Sequence, residues 1–136
     1  MEAVLGAAFL VRTKVFEELG GFDPRYFHFA EEDDLFRRIQ DRGEKVVFVP
    51  EPRVVHVGSG ASEEIPIETL DRWKADGFLR YAAKHHGSDG RRRTRRALLL
   101  GARLRWLAAS LPGALGSRER VRRFAALVTY LRTVGH

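Results

Sequence analysis

The stretch "KVVFVPEPRVVHV", residues 45–57, sets two β-branched runs on either side of a "PEP" break. Such runs read as short strands, because branched side chains fit a pleated surface, and the prolines force a break while limiting pairing nearby. Working outward, "GAAFLVR" (6–12) is a short apolar run suited to a buried strand. Thr13 then offers a cap for a short helix "KVFEEL" (14–19), and Gly20 and Gly21 supply its C-terminal stop. "FDPRYF" (22–27) is a turn, since Asp23 before Pro24 disfavours helix. A second helix is expected over about 30–42, stopped by Gly43, and a third over about 67–86, stopped by Gly87. Strands interleaved with helices predict an α/β fold.

Composition bounds what such a fold can do. At 136 residues, 44% hydrophobic and 31% charged, the chain is globular in type and large enough for one ordinary domain with an appendage. It holds no Cys, which excludes disulfides, thiolate metal sites and cysteine chemistry. The run "ALLLGA" (97–102) is far short of the roughly 20 residues of a membrane span, and the N-terminus lacks a basic-then-apolar signal pattern. The net charge of +6 is unevenly shared: residues 91–136 hold 12 Arg against one Glu, a balance of +11, which leaves −5 for residues 1–90. The two parts are therefore expected to do different jobs.

The acidic part concentrates its charge in "FHFAEEDDLFRRI" (27–39), where Glu31, Glu32, Asp33 and Asp34 fall in the first turn of the second helix. Carboxylates there favour the positive end of the helix dipole, but one or two suffice and four repel one another. Crowding pushes at least one pKa upward, as a general base requires, and calls for a compensating arginine or metal. Arg38 stands one turn beyond Asp34 and can pair with it. Aromatic and aliphatic residues flank the run: Tyr26, Phe27 and Phe29 precede it, and Leu35, Phe36 and Ile39 follow. Two readings stay open from these residues alone, a solvated helix start and a catalytic or metal-binding cluster. His56 likewise reads either as a strand residue with a local hydrogen bond or as a metal ligand. The "GSGAS" loop (58–62) is a connector, or a source of backbone N–H groups for phosphate or acceptor.

In order, Gly6 and Arg12, Gly20 to Asp23, Tyr26 and Phe27, Glu31, Glu32, Asp34, Leu35 and Arg38, Pro50 and His56 resemble the C-terminal half of family 2 glycosyltransferases. These are inverting enzymes of the GT-A fold that include bacterial rhamnosyltransferases. The resemblance covers about residues 4–62, with similar helices to about 86. It implies a partial GT-A, Rossmann-like fold, the acceptor-side half, in residues 1–88, followed by a basic helical tail in 89–136. It implies Glu32 as general base, Glu31 and Asp34 as groups orienting the acceptor or the base, and Phe22 and Asp23 as the acceptor-side turn, with Arg38 beside them. It implies His56 as a ligand of a divalent metal, Mg or Mn, shared with the D-x-D aspartates of the family's first half. That half has no counterpart in this chain. The expectation is a fragment or split subunit, inactive as a transferase without a nucleotide-binding half, with exposed edge strands and apolar faces.

The tail opens with "RRRTRRALLLGARLRWLAASLPGAL" (91–115), a basic flank and an apolar helix that carries Arg103 and Arg105 and breaks at Pro112. A second helix over about 117–133 aligns Val121, Phe124, Val128 and Leu131 on one stripe. Basic amphipathic helices of this kind pack on a core, lie on an anionic membrane or bind nucleic acid. Trp106 and the leucines fit the first two better than the third. The expected function is inverting sugar transfer from a nucleotide-sugar to a glycan or lipid-linked acceptor, in the cytoplasm or at the inner face of the cell membrane. The alternative is a non-catalytic basic module that contacts a membrane, a partner protein or nucleic acid.

Overall fold

The computed structural model describes residues 6–56, 64–111 and 117–134. Four helices occur among them: α1 (Thr13–Glu18), α2 (Glu31–Asp41), α3 (Ile67–Ser110) and α4 (Arg118–Thr133). The chain divides into two compact units, Met1–Glu64 and Ile65–His136.

In the first unit Thr13 is the first helical residue of α1 rather than its cap, the cap position falling to Arg12 without a side-chain hydrogen bond. The helix closes as anticipated, with the Gly20 and Gly21 N–H groups donating to Glu17 O and Phe16 O at 2.9 Å each. Both glycines hold φ near +70°, a region that side chains with a Cβ enter at a cost. The apolar positions Leu35, Phe36 and Ile39 of α2 bury one face against Val15, with Phe9, Val11, Phe16, Leu19 and Val46 packed around them. Phe9 meets Phe36 edge-on at 5.2 Å between ring centroids, a favoured arrangement for aromatic pairs.

The α/β expectation, and with it the partial GT-A, Rossmann-like sheet, is overturned here. No strand is formed among the described residues: "GAAFLVR", "KVVFV" and the described part of "RVVHV" (53–56) run without a ladder. A β-branched run becomes a strand only when a neighbour takes up its backbone N–H and C=O groups, and two or more partners are needed for a stable sheet. Lacking such neighbours, the runs leave their side chains outside, with Val47, Val49, Val54 and Val55 exposed at 57–89%. Side-chain pattern alone does not make a sheet.

The second unit is helical throughout its described residues. α3 runs past the expected stop, because the chain turns at Gly87 (φ 65°, ψ −166°) and resumes helix at once on the far side. Ala75 and Leu79 before the turn share a buried cluster with Ala102 after it and with Leu131 of α4. Leu98, Leu99, Leu127, Val128, Tyr130 and Val134 pack against that core, so Val128 and Leu131 of the α4 stripe read from the sequence face α3. Ser117 caps α4, its side chain accepting from Arg120 N–H at 3.1 Å. Polar ties reinforce the pairing. Arg123 makes a two-pronged bond to Asp71 (2.6 and 2.8 Å), and Arg95 and Arg91 donate to the carbonyls of Leu131 and Val134 at the end of α4.

Candidate active site at the start of α2

The acidic turn is entered through two residues in left-handed backbone geometry, Phe29 (φ 67°) and Ala30 (φ 68°). Neither is glycine, and such positions cost about 1–3 kcal/mol each, a strain that concentrates at functional sites. Ala30 is buried, and its carbonyl accepts the Asp34 N–H at 3.0 Å. The twist delivers all four carboxylates into the first turn of α2, with no side-chain cap at its N-terminus.

The four differ sharply in what they meet. Asp34 is fully buried and compensated: Arg38 Nε donates to its Oδ2 at 2.8 Å, and the Tyr26 hydroxyl lies 3.3 Å from its Oδ1. Arg38 also donates to Leu19 O (2.9 Å) and Gly21 O (2.8 Å), fastening the double-glycine turn to α2. Burial and the Asp34 charge both push the Tyr26 phenol above its ordinary range. Asp33 is raised above the usual carboxylate range, first by burial and then by the neighbouring Glu32 charge. Glu31 and Glu32 are less fully met: among the described residues, each has one carboxylate oxygen, Oε2, that is buried and without a hydrogen-bond partner. Glu32 lies directly over Gly6, where an added Cβ would come within 2.9 Å of its Oε1, so the glycine makes room for the carboxylate.

The remaining sequence candidates spread more widely. Asp23 is gripped by Arg25, which donates to it from backbone N–H, Nε and Nη2, the last at 2.6 Å, and the Tyr26 N–H closes the turn onto Asp23 O at 3.0 Å. Phe22 stands edge-on to Phe16 (5.5 Å) and Phe9 (6.4 Å) with part of its ring exposed. The structure thus brings Phe22, Arg38 and the acidic turn onto one small framework. His56 lies in an exposed extended segment, and among the described residues no group of three or more His, Asp or Glu is placed to hold a metal ion. These residues do not by themselves fit a resident divalent cation. The 58–62 loop lies outside the described residues. The left-handed pair Phe29–Ala30 was missed in the sequence, which carries no glycine or asparagine there to signal it.

Over 82 residues, 60% of its length, this chain is 33% identical to the N-acetylglucosaminyl-diphospho-decaprenol L-rhamnosyltransferases of Mycobacterium tuberculosis strains CDC 1551 and H37Rv. The relationship is to glycosyltransferases. Over 81 residues it is also 33% identical to the O-antigen biosynthesis protein RfbC of Myxococcus xanthus. The chain spans only 27% of the mycobacterial relatives and 6% of the myxobacterial one. No family model matches, and no solved structure matches.

Proposed function

We propose that this chain contributes the acceptor-side part of an inverting glycosyltransferase, with Glu32 as general base. The observation that carries the reading is the buried oxygen of Glu32, without a partner among the described residues, on a side chain for which Gly6 leaves room; Glu31 shares the buried oxygen but not the glycine, while Asp34 is compensated and Asp33 raised. An ionised carboxylate without a partner is costly to bury, and an incoming hydroxyl is the kind of donor that would relieve it. In the proposed step Glu32 takes the proton of an acceptor hydroxyl while that oxygen bonds to the anomeric carbon of a nucleotide-sugar. The bond from that carbon to the diphosphate breaks, and the nucleoside diphosphate departs with its electron pair. Glu31 orients the acceptor, Arg38 and Asp34 hold the turn in register, and Phe22 with Asp23 forms an edge of the acceptor region.

The relatives' names motivate the substrate classes: an activated sugar such as rhamnose as donor, and a glycan or lipid-linked acceptor. Donor binding is assigned to a nucleotide-binding portion separate from residues 6–134, and that portion would supply the remaining ligands of any metal that His56 helps to hold. The reading is tested by incubating membranes from cells with and without the gene with labelled nucleotide-sugars, an activated rhamnose among them. Transfer of label to lipid or glycan that depends on the gene supports it. Equal incorporation in both preparations removes it.

A further inference from the structure

The basic tail splits its arginines between two tasks. Arg91, Arg95 and Arg123 are turned inward onto α4 carbonyls and Asp71, whereas Arg93, Arg96, Arg103 and Arg105 are exposed on α3. Among these exposed arginines runs a line of leucines that the α3–α4 core does not use. Leu100, Leu104, Leu107 and Leu111 recur at i, i+4, i+7 and i+11 and are 54–61% exposed, while Leu98, Leu99, Ala102 and Ala109 on the other side of the helix are packed or buried. One stripe of the helix faces its own core, and an opposite stripe of Leu100, Leu104 and Leu107, continued by Leu111 just past the helix end, faces out.

We propose that this outward face of α3 docks on the surface of an anionic bilayer, with the leucines in the interfacial layer and the exposed arginines at the headgroups. Charge selects this occupant. No Asp or Glu occurs between Asp89 and Glu119, so the stripe lies in a segment of one sign, which matches a negatively charged lipid surface. A second copy of the chain would set two arginine-flanked stripes face to face with no acidic residue between them to offset the repulsion. A nucleic acid would use the arginines but leave the leucines unsatisfied. Arg96 and Arg103 lie on one flank of the stripe, and their aliphatic stems can extend the apolar contact while the guanidinium groups reach phosphate. α4 is not needed for the docking, because Leu127, Val128 and Leu131 of its apolar face pack on α3. The inference stands independently of any transferase activity.

Flotation of the purified chain with vesicles tests it. Vesicles of phosphatidylcholine with phosphatidylglycerol should carry the chain at least about tenfold better than phosphatidylcholine alone, and raising the salt should release it. The double change Leu104→Ser with Leu107→Ser should cut binding by about tenfold or more while helix content by circular dichroism stays unchanged. Arg96→Gln with Arg103→Gln should weaken binding to anionic vesicles selectively. The control Val47→Ser with Phe48→Ser removes exposed apolar groups from the first unit and should leave binding as it is. Equal flotation with neutral and anionic vesicles would overturn the proposal, as would equal losses from the control and the Leu104/Leu107 pair. So would a wild-type dimer in sedimentation that dissociates in the leucine variant without any vesicle binding. The lipid and salt comparisons use the wild-type chain, so they stand even if a variant fails to fold.

Discussion

Arg38 reaches from α2 to the fully buried carboxylate of Asp34 and, with its other two nitrogens, to the carbonyls of Leu19 and Gly21. One guanidinium thereby neutralises a buried charge and ties the acidic turn to the preceding helix. Removing it strands the Asp34 charge in the core. Arg38→Met should therefore destabilise the first unit by about 3 kcal/mol or more, measured by urea unfolding, and Arg38→Lys should recover only part of that because it lacks the fork. A loss below about 1 kcal/mol would mean that solvent reaches Asp34.

Asp33 gives a pH-dependent counterpart. Its carboxyl is raised in the folded chain, so its stabilising contribution is whole when it is protonated at low pH. That contribution is lost as pH rises through its folded value. Asp33→Asn should accordingly raise the melting temperature at pH 7, and the advantage should shrink as the pH is lowered through the carboxylate range. An advantage that is constant with pH would assign the effect to packing.

Tyr130 serves the same purpose at alkaline pH. Burial, followed by its hydrogen bond to Asp76, pushes the phenol from its ordinary 10.0 to about 12. Its contribution to stability is whole below pH 10 and is lost as the pH climbs to about 12. In a titration of phenolate absorbance, Tyr130→Phe should remove a late-ionising component, and it should flatten the loss of stability over that interval.

Gly87 tests the turn within α3. Its φ of 65° with ψ of −166° belongs almost solely to glycine, and nothing lies within 4 Å of an added Cβ. The cost of Gly87→Ala is therefore torsional, about 1–3 kcal/mol, and should appear in unfolding of the second unit. A neutral result would place the chain direction change elsewhere.

These features differ in how far the sequence discloses them. Helix ends are local: Gly20, Gly21 and Gly43 adopt the left-handed stops that their type favours, and Ser117 caps α4. The Asp34–Arg38 pair is likewise visible as an i, i+4 spacing. The bonds from Arg38 to Leu19 and Gly21 span 19 and 17 residues and depend on how α1 meets α2, which no local pattern encodes. Sheet formation fails for a similar reason. The runs around Val47 and Val55 have strand-forming side chains, but pairing is a property of two segments aligned side by side, and no two of these runs form a ladder among the described residues. At Gly87 the stop signal was legible, while the immediate restart of helix came from the shared packing of Ala75, Leu79 and Ala102. The turn's chemistry was only half visible. Four carboxylates in sequence announce repulsion, but their spacing does not say that Asp34 is neutralised while Glu31 and Glu32 each keep a buried oxygen without a partner among the described residues.

The central claim is that Glu32 is the base for sugar transfer, and its most direct test is a comparison of wild type and Glu32→Gln in gene-deleted cells. Membranes from each strain are supplied with labelled nucleotide-sugar, and incorporation is normalised to the amount of folded protein. Glu32→Gln should lose about 100-fold or more with an unchanged melting temperature, and Glu32→Asp, which keeps the carboxylate, should recover part of it. Transfer by Glu32→Gln at the wild-type rate would contradict the claim.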